Sequence, residues 1–282
     1  MKFGYILTRP LYFFAARPKI RRFIHFFLIF FQPKKDVRIC VQNQIMYART
    51  LDRIVVLYLR KFRFEEAFET KLFQSVVKPG MTVVDIGANL GCYALIAADL
   101  AGEKGRVFAF EPDSENFSLL LKNIGANGYR NVKAFDMAIS DKAETIKLFL
   151  SDEHRGNHKI YDSGEGRKTT NVQAVSLDSF FKKEPSRIDV IKMDVEGAEA
   201  MVFAGMEQII RANPKIVIFI EFDPQALRAA GSSPEELLKT IKQQDFLIYN
   251  INEGKSCLEL ITVDDAISKC RGGNYLNLLL RK

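Results

Sequence analysis

Residues 83–91 read Val83-Val84-Asp85-Ile86-Gly87-Ala88-Asn89-Leu90-Gly91, and Phe108-Ala109-Phe110-Glu111-Pro112 follows, with Glu111 twenty positions past Gly91. The largely apolar run from Met81 to Ile86 predicts a strand buried on both faces, and Gly87 and Gly91 let the following backbone approach a ligand without Cβ interference. That ligand would sit at the N-terminus of the next helix. Glu111, at the end of a second strand, is placed to accept two hydrogen bonds from ribose hydroxyls. The turn reads Asp-x-Gly-x-Asn-x-Gly, without the third glycine of the dinucleotide Gly-x-Gly-x-x-Gly. Asp85 stands where a pyrophosphate needs neutral or positive surroundings, so the carboxylate there suits a cationic ligand.

From residue 82 onward, strand and helix patterns alternate. Strand-like stretches at 82–86, 106–110, 132–135, 188–193, 216–222, 246–251 and 274–280 are separated by helical spacing at 93–100, 114–127, 198–212 and 234–243. This alternation predicts an α/β fold, a doubly wound, mostly parallel seven-stranded sheet with helices on both faces. Ligands in such sheets bind outside the carboxyl ends of the strands, where strand order reverses. Asp85, Glu111, Asp194 and Glu221 fall at or near such ends, so one pocket is expected to collect them. Two further strand-like stretches, 145–150 and 171–175, flank a polar link carrying His154 and His158. This insertion at 145–175 is expected to form part of an acceptor site or a lid. Ahead of the sheet, 37–41 and 45–48 predict a hairpin and 65–77 a helix, which together make a small subdomain over 37–80.

Three motifs carry a family resemblance: Asp85-Ile-Gly-Ala-Asn-Leu-Gly91, Phe110-Glu111-Pro112, and Lys192-Met193-Asp194-Val195-Glu196-Gly197-Ala198-Glu199. The last is close to a Lys-x-Asp-x-Glu-Gly-x-Glu signature. From about Val37 to the C-terminus the chain resembles the FkbM family of S-adenosylmethionine-dependent methyltransferases. The resemblance implies a class I methyltransferase domain over 81–282, S-adenosylmethionine as cofactor, and O-methylation of a hydroxyl on a sugar, lipid-linked or secondary-metabolite acceptor. It also implies that Asp136 and the backbone of Met137 and Ala138 meet the adenine amine.

For donor binding the expected set is Asp85, Gly87, Asn89, Gly91, Glu111, Asp136 and Ala138. Glu111 would hold the ribose and Asp85 would lie near the methionine ammonium. Methyl transfer is an in-line displacement in which alignment matters most, and an oxygen acceptor also needs a base within hydrogen-bond reach. Asp194 is the leading candidate, with Glu196, Lys192 and His154 beside it as catalytic candidates. If the segment stays extended, Lys192, Asp194 and Glu196 share a face. The bland readings are an ion-pair anchor for Lys192 and helix-start capping for Glu196 and Glu199. Asp194, Glu196 and Glu221 are all acidic, but no spacing demands a metal and none is expected.

The net charge of +7 is unevenly placed: residues 1–63 hold fourteen Lys or Arg against two acids, which leaves the remainder net negative. Eight of the 23 phenylalanines fall in the first 31 residues, and Phe23 to Phe31 is a nine-residue apolar run with one histidine. That is about half of what spans a bilayer as a helix. The composition of residues 1–36 predicts a basic N-terminal helical extension lying on an anionic membrane surface, with packing on protein as the alternative. Continuous apolar density argues against nucleic acid as the partner. Four cysteines without Cys-x-x-Cys spacing read as reduced thiols, and a cytoplasmic protein, peripheral on the inner face of the membrane, is the expected setting. The alternatives to a methyltransferase of small acceptors are a nucleotide-cofactor oxidoreductase, a nucleic-acid methyltransferase and a non-catalytic membrane-surface scaffold.

Overall fold

The structure, a computed structural model, describes residues 36–49, 66–151, 157–164, 166–183 and 187–282. The phenylalanine-rich stretch 1–31 and the link 152–156, which carries His154, lie outside the described residues. Among the described residues no helix is long and apolar enough to cross a membrane.

Strands β1 (Asp36–Val41) and β2 (Gln44–Arg49) pair antiparallel around Gln42 and Asn43. Both turn residues have positive φ, 49° and 66°, which is the backbone a two-residue hairpin turn demands. Helix α1 (Ala67–Val76) follows, and its first N–H groups, on Phe68 and Glu69, donate to the Glu253 carboxylate at 2.9 and 2.7 Å. A carboxylate from a distant turn thus caps a helix end whose donors have no partner within the helix.

The doubly wound unit runs β3 (Thr82–Ile86), α2 (Cys92–Ala101), β4 (Arg106–Phe110), α3 (Ser114–Asn127), β5 (Val132–Phe135). After an excursion, it continues through β9 (Val190–Met193), α5 (Glu199–Ala204), α6 (Glu207–Ala212), β10 (Val217–Phe222), α7 (Pro224–Ala229), α8 (Pro234–Gln243), β11 (Leu247–Asn252), β12 (Cys257–Leu260), α9 (Val263–Lys269) and β13 (Leu276–Arg281). The main sheet has the order β12-β11-β13-β10-β9-β3-β4-β5. Strands β5, β4, β3, β9 and β10 run parallel, while β13 is antiparallel to both β10 and β11. The seven predicted strands are all present, and the count rises to eight because the four-residue β12 folds back on β11.

The chain builds outward from β3 to β5 and then returns to the other side of β3 at β9. The crevice between β3 and β9 is therefore the switch point where such sheets take ligands. One face of the sheet packs Val84, Ile86, Phe108, Phe110, Ile191 and Met193 against the later helices, and the other packs Val83, Val107 and Phe219 under α1, α2 and α3. Every residue of β3 is buried, which is why it reads as an unbroken strand.

The excursion between β5 and β9 contains β6 (Ala138–Ile139), β7 (Glu144–Leu150) and β8 (Lys168–Val175), a separate three-stranded sheet in the order β6-β8-β7, followed by α4 (Leu177–Lys183). The single helix predicted over 198–212 is instead two, α5 and α6, broken at Gly205. Asp178 accepts from Gln208 N–H and Ile209 N–H at 3.0 and 2.9 Å, capping the second of them.

A Cβ at Gly205 would stand 2.1 Å from the Ser140 carbonyl oxygen. Because Gly205 has φ −81°, Gly205→Ala in open space would stabilise by about 0.4–1 kcal/mol. Here we expect a loss of about 1–3 kcal/mol by urea denaturation; a gain in stability would refute the contact.

Candidate active site

The loop after β3 carries three left-handed residues at alternate positions, Gly87 (φ 78°), Asn89 (φ 51°) and Gly91 (φ 91°). Gly87 and Ala88 both donate to the Phe110 carbonyl, at 3.0 and 2.9 Å, which curls the loop over the end of β4. A Cβ at Gly87 would lie 2.0 Å from the Asp194 carbonyl oxygen, so the loops after β3 and β9 touch through backbone. Gly91 begins α2, and a Cβ there would meet Leu120 of α3 at 2.5 Å.

Around this loop lies a small pocket, about 70 Å³, at the carboxyl ends of the strands. Its walls include Gly87 and Asn89 after β3, Glu111 after β4, Met137 and Ala138 after β5, and Asp194 and Glu196 after β9, with Leu148, His158 and Ile160 from the excursion. Glu111 is pinned by backbone donors on both oxygens: Asn89 N–H at 2.8 Å and Asp113 N–H at 2.9 Å. Burial nevertheless pushes its carboxyl up to about 7, against those two N–H groups that draw it down. Asp113 also caps α3 by accepting from Asn116 N–H at 2.9 Å. His158 Nδ1 accepts from Ser151 N–H at 3.0 Å, and its Nε2 lies 3.8 Å from Asp113. The excursion is thereby fastened to the wall that holds Glu111.

Strand β9 ends at Met193, and Glu196 (φ 53°) and Gly197 (φ 105°) turn the chain. The segment does not stay extended, and the expected shared face of Lys192, Asp194 and Glu196 gives way to a different grouping. Asp194 and Glu196 meet Glu221 of β10, with ligand oxygens all within 4.8 Å of one another. Lys192 is buried behind them, with its ammonium 3.3 Å from Glu69, 4.0 Å from Asp194 and over the ring of Tyr93. Asp85, its registered neighbour on β3, is also buried. Burial pushes the Asp85 carboxyl up to about 7; Lys192 and the Ala94 N–H pull it down and Asp194 raises it. Glu199 is buried too, accepts from Gly197 N–H at 3.2 Å and is pushed by burial up to about 7.

Of the residues expected from sequence, Gly87, Asn89, Glu111, Ala138, Asp194 and Glu196 line one cavity. Asp85 and Lys192 lie beneath its floor, Gly91 is packed against α3, and Asp136 stands outside the lining. Burial, then the charge of Asp113, raises the Asp136 carboxyl. His154 lies outside the described residues. Sequence reasoning passed over Glu69, which reads as a solvated acid at a helix start but is the close partner of Lys192.

The sequence profile of the methyltransferase FkbM domain matches residues 85–248, more than half of the chain. This chain belongs to the FkbM methyltransferase family. The FkbM reading sets aside a nucleotide-cofactor oxidoreductase. The chain is similar to hexuronic acid methyltransferase AglP of Haloferax volcanii, 29% identical over 58% of this chain and 68% of that one. Another relative, the 2-O-methyltransferase NoeI of Sinorhizobium fredii, is 31% identical over 53% of this chain and 66% of its own. Methyltransferase sdnD of Sordaria araneosa is 26% identical over 60% and 77%. A solved transferase structure from Pyrococcus horikoshii superposes with a TM-score of 0.50 at 15% identity, covering 93% of this chain and 84% of that one, and shares the fold.

The buried pair generates a stability prediction. Lys192→Met leaves Glu69, 1% exposed, without that ammonium, and we expect a loss of about 3–5 kcal/mol in urea unfolding. Adding Glu69→Gln should recover part of it; a double variant as unstable as the sum of both singles would show that the two do not interact.

Proposed function

We propose that the protein transfers the methyl group of S-adenosylmethionine to a hydroxyl of a sugar or a similar polyhydroxylated small molecule. The observation that carries the donor half is Glu111, held at the end of β4 by Asn89 and Asp113 with its carboxylate on the cavity wall. Each of its oxygens keeps a lone pair for a ribose hydroxyl. Apolar Phe110, Met137 and Ile139 beside it suit an adenine ring. Asn89 Oδ1 is buried without a hydrogen-bond partner and suits the donor's ammonium. Asp85 and Lys192 then serve from beneath: Asp85, on β3, accepting from the Ala94 N–H in the first turn of α2, and Lys192 against Asp194. When bound, the donor supplies an electrophilic methyl on a sulfonium.

The acceptor half rests on Asp194 and Glu196, whose carboxylates reach the same cavity and can take the hydroxyl proton. The name of the Haloferax relative, a hexuronic acid methyltransferase, supports a sugar-type acceptor, and that of the Sinorhizobium relative, a 2-O-methyltransferase, supports transfer to oxygen. The basic, phenylalanine-rich composition of residues 1–36 supports an acceptor held at a membrane surface, such as a lipid-linked glycan.

Calorimetric titration with S-adenosylhomocysteine should show micromolar binding, and NAD none. Glu111→Gln should weaken it by about 1.5–3 kcal/mol, the worth of hydrogen bonds to a charged group. The pH dependence has a defined sign. With its carboxyl raised to about 7, Glu111 is ionised, and able to accept two hydroxyls, above that pH. Affinity should therefore fall as pH drops from 8 to 6, and the Glu111→Gln variant should lose much of that slope, the remainder belonging to Asp85, which burial also raises to about 7. Pairing Asp194→Asn with the acceptor assay should lower kcat by more than it changes donor affinity; an equal loss in both would remove Asp194 from the chemical step.

A further inference from the structure

The excursion sends one short segment, Asn157-His158-Lys159-Ile160-Tyr161, along the donor pocket, where His158 and Ile160 both line it. Each end of the segment meets a different wall. His158 Nε2 lies 3.8 Å from Asp113 after β4, with both side chains nearly buried. The Tyr161 ring rests on bare backbone after β9, where a Cβ at Gly197 would stand 3.0 Å from its edge. The segment therefore spans the pocket from the wall that holds Glu111 to the wall that holds Asp194. Its own bonds run back into the excursion. Lys159 exchanges two backbone hydrogen bonds with Phe149 of β7, at 2.7 and 3.1 Å, and Arg167 donates to the Asn157 carbonyl. His158 Nδ1 accepts from Ser151 N–H at 3.0 Å, which leaves the proton of the neutral ring on Nε2, the atom nearest Asp113.

The pocket beneath measures about 70 Å³, whereas sites for molecules of the donor's size class run to about 300–1,000 Å³. Something must move before S-adenosylmethionine can enter. The walls are poorly suited to it: the loops after β3 and β9 touch through backbone at Gly87, and backbone N–H groups pin both oxygens of Glu111. The segment meets those walls through the side chains of His158 and Tyr161, while its backbone belongs to β7. We propose that residues 157–161 are a strap that lifts with β7 to admit the donor and closes over it, with His158 and Tyr161 as its two latches. The proposal rests on the donor reading of this pocket. Each latch bears on the site itself. Asp113, under His158, donates its N–H to Glu111, and Gly197, under Tyr161, follows Glu196 in the turn after β9. A closed strap excludes water from the reacting centre, and product leaves only after a second opening.

Surface plasmon resonance of S-adenosylhomocysteine on the immobilised full chain reads entry and release separately. A gate slows both, because the ligand passes only while the strap is open. His158→Asn keeps an acceptor for Ser151 N–H near the Nδ1 position but is too short to reach Asp113, and Tyr161→Leu removes the ring from the other latch. Each variant is expected to raise the association and dissociation rate constants together, by about five- to tenfold, while Kd shifts by less than about twofold. The second variant keeps the test readable if the first fails to fold. Faster release alone, with Kd weakened in step, is the behaviour of a residue that merely lines the pocket; that result, or unchanged rates, overturns the strap and leaves the donor reading standing. Failure of the unaltered protein and both variants to bind S-adenosylhomocysteine removes the donor reading, and the strap with it.

Discussion

The carbonyl oxygen of Asp194 lies 2.0 Å from where a Cβ at residue 87 would stand, so the two strands flanking the switch point meet through bare backbone. Much of the site follows from that contact. It allows the β3 loop to curl onto the Phe110 carbonyl, which carries Asn89 N–H to Glu111. It also allows the β9 chain to turn at Glu196 and present two carboxylates over the crevice. A side chain at 87 would push the loops apart and separate the wall that holds Glu111 from the one that holds Asp194.

Beneath this floor the sheet buries charge where apolar residues would be ordinary. Asp85 and Lys192 are registered neighbours, and Glu69 reaches the same ammonium from α1. Such clusters contribute little net stability, because desolvation offsets the attraction, yet removing one member is costly. The effect of this one is directional. It fixes a helix from outside the doubly wound unit against the sheet and sets a positive charge behind Asp194.

The parts of the fold that local chemistry determines were legible in the sequence. Strands 82–86 and 106–110 and the helix 114–127 match their predicted bounds because buried apolar runs end at Gly, Pro or a capping Asp. Helices α7 and α9 carried their own signals, Asp223-Pro224 and the Thr262–Asp265 capping box, but six or seven residues gave too little apolar periodicity to register. The break at Gly205 could not be read, since the close approach of the Ser140 carbonyl and the capping of the second helix by Asp178 both come from residues far away in sequence. The same distinction holds in the site. Glu111 and Asp194 sit at strand ends that the pattern fixes. Glu69 and the turn that groups Glu196 with Glu221 depend on which elements become neighbours, and that is decided by tertiary packing.

The hairpin of β1 and β2 shows how one helix can finish a sheet. Ile45 and Tyr47 turn their N–H and C=O groups away from β1, and the side-chain amides of Asn127 and Asn123 answer both, at 2.8 and 2.7 Å for Ile45 and 2.6 and 3.3 Å for Tyr47. The match is metric: four residues of helix rise about 6 Å and two residues of strand about 6.8 Å. Two asparagines one turn apart therefore imitate a neighbouring strand. An open strand edge is a template for another molecule's strand, and this one is already read by the protein itself, which closes a route to edge-to-edge aggregation.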